Sequence, residues 1–554
     1  MVLAKMSSRG DEDKVSINPN FTTNCRSGTT CIENKFSPNV LKNNWGGFYF
    51  MNGILRDTTV EHNWGDHPKA GYNLTGATKL TFWTRGEKGG EMVEFFVFGI
   101  GRNPWTGRPI KPYPDSSPKV STGWITLSKN WKQYTIDLKN KDLSYVIGGF
   151  GWVTNANNLR EITFYLDNIK YDKARLDEPR LLVSYETIPS SSDFDTVLKN
   201  TAFTYDNALV LMAFSARGDK RRAKLIADAF VYAMKNDRFF KDGRLRNAYQ
   251  GGDLTLPPGW NPGGREYTVR IPGWWDVKAG TWHEDAYMVG TDTGNMAWVM
   301  LALLTYYENF GGDKYLEAVK TLGEWIIKET KDVRGAGGYT GGYKGWEGAQ
   351  KKMLWKSTEH NLDLYVAFSR LYKITGQKIW KDSALHAKRF VEAMWNEEGG
   401  HFWTGTLEDG VTINKQNVPL DVNTWGLMAL LDVNKYKRGI LWAEKNCYVE
   451  ADGFKGFDFN NDRDHVWFEG TAQMVIAYQM IGEWNKANLY LSELRKAQTQ
   501  AINSNGKGIV AASADGLTTG FDWQYFRRLH IGSTAWFIFA EMGYNPFWNS
   551  RIKQ

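Results

Sequence analysis

The sequence predicts a multidomain protein, an antiparallel β-sandwich followed by an all-helical ring of hairpins. Three observations carry this prediction. The chain has 554 residues, which is too long for a single hydrophobic core. Its first third consists of short aromatic and β-branched segments separated by turn residues, whereas the remainder has helical periodicity. The helical part also repeats, with six similar segments between residues 205 and 536.

The composition is that of a globular protein, with 42% hydrophobic and 23% charged residues. The net charge of +7 is mild and forms no long basic run, so nucleic-acid binding has no support. No apolar run is long enough to enter a membrane, and the first residues lack a signal-peptide core. The 25 tryptophans are unusual, because a recurrent use of tryptophan is to stack on a sugar ring, although many such rings fill cores.

Residues 15–173 are predicted to form the β-sandwich. Four segments in this range are rich in β-branched and aromatic residues and lie between clusters of Gly, Asn and Pro: 79–84, 92–98, 131–138 and 162–169. Short strands at this spacing, with no helical pattern between them, favour an antiparallel sandwich. Cys25 and Cys31 are close enough in sequence to form a local disulfide.

Three stretches of this first domain, LTFWTRGEKGGEMVEFFVFG, GWITLSKNWKQYTIDL and ITFYLDNIKYD, resemble the jelly-roll carbohydrate-binding modules of polysaccharide-degrading enzymes. The resemblance implies an extracellular or cell-surface protein and a concave face with aromatic rings for a glycan. It also implies a structural calcium near Asp167, although an ordinary surface Asp at a strand end explains that residue too. The candidate glycan-binding rings are Trp45, Trp64, Trp105 and Trp152.

Residues 174–197 interrupt both patterns and are predicted to be a linker. Residues 198–554 then form the helical domain. Its six repeated segments open with a polar or acidic residue and run into apolar residues, and the first five are each followed by a short turn and an amphipathic helix. Because a helix that is apolar all round is buried, the six segments are predicted to be inner helices and the amphipathic ones outer helices. The segments begin at Tyr205, Asp292, Ser357, Asp421, Phe468 and His530.

This organisation resembles that of the (α/α)6-barrel glycosidases and their relatives. The long connections 237–291, 331–356, 397–420, 447–467 and 501–529 all lead into inner helices, so they are predicted to share one face of the ring. Long ordered loops on a rigid scaffold are where sites are built. The chain ends soon after the sixth inner helix, so the sixth outer helix is predicted to be missing or to come from residues 193–201.

The candidate catalytic residues are acidic side chains at the starts of inner helices. Hydrolysis of a glycosidic bond needs one protonated and one ionised carboxyl group. Asp206, Asp292 and Asp421 stand at such positions, but an Asp there is explained equally well as a helix cap. Glu359 and Glu469 are harder to explain in that way, because Glu is not a preferred cap.

Glu359 is the predicted general acid, and Asp206, Asp292 or Glu469 is the predicted base. A carboxyl group near a helix N-terminus is favoured in its ionised form, so the acid needs burial or a neighbouring carboxylate to raise its pKa. Around these acids the sequence predicts a binding surface for a flat, neutral, hydroxyl-rich ligand. Its predicted members are Trp282, Glu284, Asp285, Trp355, His360, Trp425, Trp467, Trp523 and Tyr525.

The pattern therefore predicts a monomeric glycoside hydrolase acting on a polysaccharide. A β-glucan such as cellulose is the favoured substrate, and the barrel resemblance implies inversion at the anomeric carbon. Two alternatives stay open. The ring can carry a polysaccharide lyase or sugar epimerase with His360, Asn361 or Tyr525 as base, or both modules can only bind glycan. The barrel has no HExxH or paired CxxC motif and no phosphate-binding motif, so no metal or nucleotide cofactor is expected there.

Overall fold

The computed structural model describes residues 4–10, 12–38, 44–56, 59–156, 159–173, 179–188, 192–253, 268–276 and 278–552. The chain divides into two compact units, Met1–Asp177 and Glu178–Gln554. Within the described residues, no helix is both long enough and apolar enough to cross a bilayer.

The first unit consists of two five-stranded antiparallel sheets. One has the strand order β1-β4-β11-β8-β9 and the other the order β10-β7-β12-β3-β2, while β5 and β6 form a separate hairpin. The strands are β1 (Ala4–Gly10), β2 (Val15–Phe21), β3 (Cys31–Phe36), β4 (Trp45–Asn52), β5 (Ile54–Arg56), β6 (Thr59–Glu61), β7 (Ala77–Gly86), β8 (Met92–Val97), β9 (Val120–Thr126), β10 (Lys132–Asp137), β11 (Gly148–Asn155) and β12 (Ile162–Lys173). A short 3-10 helix, Glu12–Lys14, precedes β2.

Aromatic rings from the two sheets meet in one core, so the predicted sandwich is confirmed. Phe82 of β7 lies 4.7 Å from Phe95 of β8, and Trp152 of β11 lies 5.0 Å from Phe164 of β12, measured between ring centroids. Trp152 is fully buried and its Nε1 donates to Oδ1 of Asn34 at 2.9 Å. The prediction that Trp152 faces a glycan is therefore wrong, because its position in the strand alternation directs the ring inward.

The other predicted tryptophans of this unit lie at the surface or near it. Trp45 of β4 is 37% exposed and shares the outer face of its sheet with Tyr49, since residues two apart in a strand point the same way. Trp64 is half-buried and packs edge-on against Tyr49, with ring centroids 5.8 Å apart. Trp105 is 89% exposed. Trp124 of β9, which the sequence reading did not single out, is 48% exposed on the same outer face.

The first unit contains a disulfide and a hydrogen-bonded Asp167. Cys25 and Cys31 form the predicted disulfide. The carboxylate of Asp167 accepts a hydrogen bond from the backbone N–H of Ser27 at 2.9 Å. Among the described residues, no group of three potential metal ligands surrounds Asp167, so a calcium ion there stays a prediction.

The second unit contains twelve helices in its described part. They are α1 (Asp193–Val197), α2 (Thr204–Ala216), α3 (Lys220–Lys235), α4 (Thr293–Phe310), α5 (Asp313–Thr330), α6 (Thr358–Thr375), α7 (Lys378–Ala393), α8 (Asp421–Leu430), α9 (Val433–Cys447), α10 (Phe468–Met480), α11 (Trp484–Gln500) and α12 (Ile531–Met542). Helices α2, α4, α6, α8, α10 and α12 each contact the next, and α12 contacts α2, so they close a ring.

The predicted barrel of inner and outer helices is confirmed. In α4, thirteen of eighteen residues are buried, whereas α5 buries eight of eighteen along one face. Helices α3, α5, α7, α9 and α11 each pack outside the preceding inner helix. The residues proposed for a sixth outer helix do not fill that position. Helix α1 has only five residues, and it lines the cavity of the ring instead.

Short antiparallel strands stiffen the connections between helices. They pair as Arg180–Leu181 with Gly252–Asp253, Thr201–Phe203 with Ala248–Gln250, Trp274–Asp276 with Thr281–His283, Trp395–Asn396 with His401–Phe402, Gly405–Thr406 with Ile413–Asn414, Tyr448–Ala451 with Phe454–Phe457, Leu517–Thr518 with Gln524–Tyr525, and Tyr544–Asn545 with Ser550–Arg551. Two further groups have three strands each: Thr291–Asp292, Gly342–Lys344 and Lys351–Met353, and Tyr185–Glu186, Leu529–His530 and Ile509–Val510.

The described residues between 179 and 197 belong to the second unit, unlike the linker predicted for 174–197. Tyr185 is buried and stacks on His530, with ring centroids 4.3 Å apart and an interplanar angle of 7°. Asp195 forms a buried ion pair with Arg528, at 2.7 and 2.8 Å. A polar, Pro- and Ser-containing stretch resembles a linker in sequence, but a buried bidentate ion pair fixes part of it.

Candidate functional site

A cavity of about 670 Å³ opens at the N-terminal ends of the inner helices. Four of these helices, α2, α4, α10 and α12, bring side chains from their first turns or their caps into its wall. The connection before α2 and the connection before α12 supply aromatic rings. Among its lining residues are Tyr185, Tyr205, Asp206, Glu469, Trp523, Tyr525 and His530.

Asp206, Glu469 and His530 form the chemical centre of this cavity. These three residues and Tyr205 are here called the catalytic cluster. Nε2 of His530 lies 3.1 Å from Oδ2 of Asp206, and Nδ1 lies 3.9 Å from Oε2 of Glu469. The side chains of all three are at most 4% exposed. The predicted convergence of distant acidic residues thus occurs for Asp206 and Glu469, which are 263 positions apart in the sequence.

Glu469 is held in an environment suited to a general acid. Burial raises the pKa of Glu469 to about 7, against the opposing effects of nearby His530 and of a hydrogen bond from Tyr205. That hydrogen bond runs from the Tyr205 hydroxyl to Oε1 at 2.7 Å, and Nε1 of Trp536 donates to the same hydroxyl at 2.9 Å. Oε2 of Glu469 is buried and has no hydrogen-bond partner among the described residues.

His530 is fixed from two sides. The backbone N–H of Ser533 donates to Nδ1 at 3.2 Å, so in the neutral ring the proton sits on Nε2 and points to Asp206. Burial lowers the pKa of His530, but the charge of Asp206 and the hydrogen bond to it outweigh burial and raise it overall. The ring of Tyr185 covers one face of the imidazole.

Gly532 provides the space in which the three groups meet. A Cβ atom on this residue would stand 2.7 Å from Cε1 of His530, 2.8 Å from Oδ1 of Asp206 and 3.1 Å from Oε2 of Glu469. Real Cβ atoms essentially never show contacts under 3.0 Å, so a side chain at this position would force at least one of the three groups to move.

Asp292 lies at the start of α4, bonded to amide groups. Nδ2 of Asn247 donates to Oδ1 of Asp292 at 3.0 Å, and the backbone N–H of Asp292 donates to Oδ1 of Asn247 at 2.6 Å. Burial raises the pKa of Asp292 to about 7. Asn295, one turn later, lines the cavity. Asp292 is not among the residues that line the cavity, and its described hydrogen bonds join it to Asn247 and not to Asp206 or Glu469.

Glu359, the predicted acid, belongs to a second cluster of acidic side chains, which lies at the starts of α6 and α8. Burial and the neighbouring Asp421 raise the pKa of Glu359 well above its ordinary value. Burial also raises the pKa of Asp421, and burial together with Asp421 raises that of Asp363. The carboxyl groups of Glu359 and Asp421 lie close enough for each to influence the pKa of the other. The catalytic cluster and this group are connected electrostatically, since Asp421 also raises the pKa of Glu469.

His360 follows Glu359 and projects towards α4. A Cβ on Gly294 would stand 2.3 Å from Cδ2 of His360, and the ring of Trp355 lies 5.5 Å from the imidazole. Burial lowers the pKa of His360 to about 4, so the ring is neutral at physiological pH.

The remaining predicted binding residues divide into two sets. Asp285, Trp523 and Tyr525 line the cavity. The others are not in the cavity lining. Glu284 pairs with Arg238 at 2.6 Å, and Trp282 and Trp355 are half-buried. Trp425 and Trp467 are 5% and 1% exposed. Proximity to an inner-helix start places a Trp near the mouth but does not decide whether its ring faces the cavity.

Several lining residues were not expected from the sequence. Tyr185 and Phe194 come from the stretch predicted to be a linker, while Tyr287 and Lys344 come from two of the long connections. The only signal for the first two is their aromatic character in a polar stretch. Asn295 carried a clearer signal, because an amide in the first turn of an apolar inner helix needs a polar environment.

One acidic group in the barrel has the geometry to share a cation. Ligand oxygens of Asp458, Asp462 and Asp464, in the connection before α10, lie within 4.8 Å of one another. Burial raises the pKa of Asp458 to about 9. Among the described residues, this is the one group of three acidic or histidine side chains close enough together to bind one metal ion. The sequence did not point to it.

No family model matches the chain, and no curated protein matches it. Among solved structures, it is similar to a sugar epimerase from a ruminal bacterium, at 14% identity and a TM-score of 0.45, over 67% of this chain and 94% of that one. An α-amylase from Clostridium perfringens has 12% identity and a TM-score of 0.42, over 63% of this chain and 87% of that one. A family 76 glycoside hydrolase from a bovine Bacteroides thetaiotaomicron strain has 12% identity and a TM-score of 0.40, over 86% and 98%.

Proposed function

We propose that the second unit is a glycoside hydrolase whose general acid is Glu469 and whose second carboxyl group is Asp206. The observation that carries this proposal is the meeting of these two buried carboxyl groups in one cavity, with different environments. Glu469 has a pKa raised to about 7, whereas Asp206 receives a hydrogen bond from Nε2 of His530. Glycosidic hydrolysis requires two carboxyl groups in one site, one that gives a proton to the leaving oxygen and one that acts as nucleophile or base.

In the proposed reaction, Glu469 gives its proton to the glycosidic oxygen as the bond from that oxygen to the anomeric carbon breaks. The Asp206 carboxylate bonds to the anomeric carbon in the same step. Water then attacks this carbon, Glu469 accepts the proton of that water, and Asp206 is released. One water is consumed for each bond broken, and both side chains return to their starting states.

The separation of the two carboxyl groups favours retention of configuration, in place of the inversion that the barrel resemblance implied. Oδ1 of Asp206 and Oε2 of Glu469 both lie within 3.1 Å of the same point, the position of a Cβ on Gly532. They are therefore less than about 6.5 Å apart, the lower end of the range for inverting enzymes, while retaining enzymes have about 5 to 5.5 Å.

The cavity favours a neutral glycan. Its lining contains Asp193, Asp285 and Asp522 in addition to the two catalytic carboxyl groups, against Lys344 and His530. This excess of acidic groups repels a polyuronate, and apolar rings such as Trp523 suit the C–H face of a sugar. A β-glucan such as cellulose remains the first substrate to test, followed by α-mannan and starch.

The test is release of reducing ends by the full-length protein from a panel of β-glucan, α-mannan, starch and polygalacturonate. We expect release from at least one neutral polymer, with the first-formed product in the anomeric configuration of the substrate by NMR. Release from none of them, with binding intact, would instead support a protein that only binds glycan. Ultraviolet-absorbing unsaturated products from polygalacturonate would contradict hydrolysis in favour of a lyase.

Activity is expected to fall as the pH rises through about 7, because Glu469 must be protonated to act as the acid. Replacement Tyr205→Phe removes a hydrogen bond that favours the ionised form of Glu469. This change should therefore move the alkaline limb of kcat/KM upward by about half to one pH unit. The measurement is a pH profile of both proteins, and an unshifted limb would contradict the assignment of that limb to Glu469.

For the first unit we propose a carbohydrate-binding module acting outside the cell. Its support is the pair of five-stranded antiparallel sheets around one core, together with Trp45, Tyr49 and Trp124 on one outer face. Sedimentation with insoluble glycans tests this proposal. Trp124→Ala should lower the bound fraction without changing the hydrolysis of a short soluble substrate.

A sugar epimerase is the second candidate, and His360 is the observation that favours it. This histidine is neutral, and its Nδ1 is buried without a partner among the described residues, so it can accept a proton. Tyr525 is a poorer base, because burial keeps its pKa far above the ordinary value and its hydroxyl protonated. Asn361 is also a poorer base, because its side-chain amide is buried and hydrogen-bonded to the backbone of Tyr339. Incorporation of deuterium into a free sugar from D2O, without release of reducing ends, would select the epimerase.

A further inference from the structure

A second group of polar side chains lies beside the catalytic cluster, at the starts of α6, α8 and α10. This inner polar cluster consists of Glu359, Asp363, Asp421, Trp425 and Gln473. The last four are between 0% and 6% exposed. Among the described residues, Oδ1 of Asp421, Nε1 of Trp425 and Nε2 of Gln473 have no hydrogen-bond partner. The oxygens of Asp363 also lack a well-formed hydrogen bond, and the indole of Trp298 lies beside them.

Such a concentration of unpaired groups is unusual, because buried polar atoms in proteins are nearly always hydrogen-bonded. The unpaired atoms include acceptors, on Asp363 and Asp421, and donors, on Trp425 and Gln473. A metal ion would satisfy the oxygens but would repel the indole N–H and the amide NH₂. A hydroxyl group both donates and accepts, so a ligand with several hydroxyls satisfies both kinds of atom.

The inner polar cluster is continuous with the catalytic cluster. Trp425 packs 6.2 Å from Tyr205, the residue whose hydroxyl donates to Glu469. Gln473 lies one turn after Glu469 on the same helix, and its Oε1 accepts a hydrogen bond from Thr424 at 2.9 Å. Glu359 is half-buried and Asp421 and Trp425 are 6% and 5% exposed, so these three members keep surface that a ligand can touch.

We propose that the inner polar cluster is a subsite that binds the hydroxyl groups of one neutral sugar ring, next to the bond that is cleaved. This inference rests on the proposed glycosidase function. It assigns Trp425 and Gln473 as hydrogen-bond donors to that ring and Asp363 and Asp421 as acceptors or shared-proton partners.

The experiment measures binding of D-glucose and D-mannose to the full-length protein carrying Glu469→Gln, so that turnover does not interfere. Trp425→Phe on this background removes the indole N–H and keeps an aromatic ring. We expect one of the two sugars to bind, and Trp425→Phe to weaken its binding about threefold to tenfold, as for one neutral hydrogen bond. The matched control is Trp380→Phe in α7, a buried Trp whose N–H already donates to Gln377 at 2.8 Å, which should leave binding unchanged.

If Trp425→Phe does not fold, Gln473→Met tests the same prediction, because Thr424 retains a hydrogen bond to the backbone oxygen of Asp421. Absence of binding of either sugar would overturn the inference and assign the unpaired groups to buried water. A rise in thermal stability with Ca²⁺ that Asp421→Asn abolishes would overturn it in favour of a cation site.

Failure of the subsite and failure of the proposed function give different results. If reducing ends are released while Trp425→Phe changes neither KM nor sugar binding, the subsite is wrong and the hydrolase stands. If no polymer is cleaved while sugar binding depends on Trp425, the hydrolase is wrong and a sugar site stands.

Discussion

Replacement Glu469→Gln is expected to reduce kcat about 10²- to 10⁴-fold, the usual contribution of a general acid. The amide has the shape of the carboxyl group but cannot give a proton to the leaving oxygen. Tyr205 can still donate to the side-chain oxygen, so the cavity should keep its form. The measurement is the initial rate of reducing-end release on the best polymer of the panel, with thermal unfolding to establish that the variant is folded.

Two further variants make this result specific. Glu359→Gln tests the acid that the sequence predicted, and it should retain more activity than Glu469→Gln because Glu359 is paired with Asp421 and not placed in the cavity lining. Glu541→Gln, in an exposed ion pair with Arg495, is the matched control and should have the activity of the unaltered protein. Loss of activity in Glu359→Gln with normal rates in Glu469→Gln would reverse our assignment.

The second large effect is expected for Gly532→Ala. The added Cβ would come within 2.7 to 3.1 Å of His530, Asp206 and Glu469 and would force at least one of them to move. A displacement of about 1 Å at a reacting group can cost about a hundredfold in rate. Gly532 lies inside α12, where Ala is preferred to Gly as a helix former. Activity should therefore fall without a comparable loss of thermal stability.

Gly508→Ala is the matched control for this substitution. Its Cβ would stand 3.3 Å from side-chain atoms of Leu529 and Thr534 and would touch no member of the catalytic cluster. Its activity should remain within a few-fold of the unaltered protein. An active Gly532→Ala protein would show that the three groups do not need the arrangement described here.

The helical ring was accessible from the sequence because its inner helices are buried on every side. Such helices begin where a polar residue gives way to an unbroken apolar run, and helix α10 begins at Phe468 as predicted. The first unit was harder to predict in detail, since strand alternation indicates two faces without saying which is inside. Trp152 and Trp124 have similar surroundings in sequence, yet the first is buried and the second is 48% exposed.

The sequence predicts that the site lies at the starts of inner helices, but it does not predict which of these side chains meet in one cavity. Asp206, Glu469 and Glu359 occupy equivalent positions in the repeat, so the sequence cannot rank them. Their difference arises from contacts between residues hundreds of positions apart, such as the pairing of His530 with Asp206. Loops determine which helix starts share a cavity, and loop paths depend on such long-range contacts.

The stacking of Tyr185 on His530 limits where the second unit can be cut into a smaller fragment. A helical unit cut to begin at residue 198, where the repeat pattern starts, would lack Tyr185 and the Asp195 that pairs with Arg528. Such a fragment would leave a guanidinium buried without its counter-charge and expose one side of the imidazole to water. A fragment that keeps both contacts therefore has to begin upstream of Tyr185.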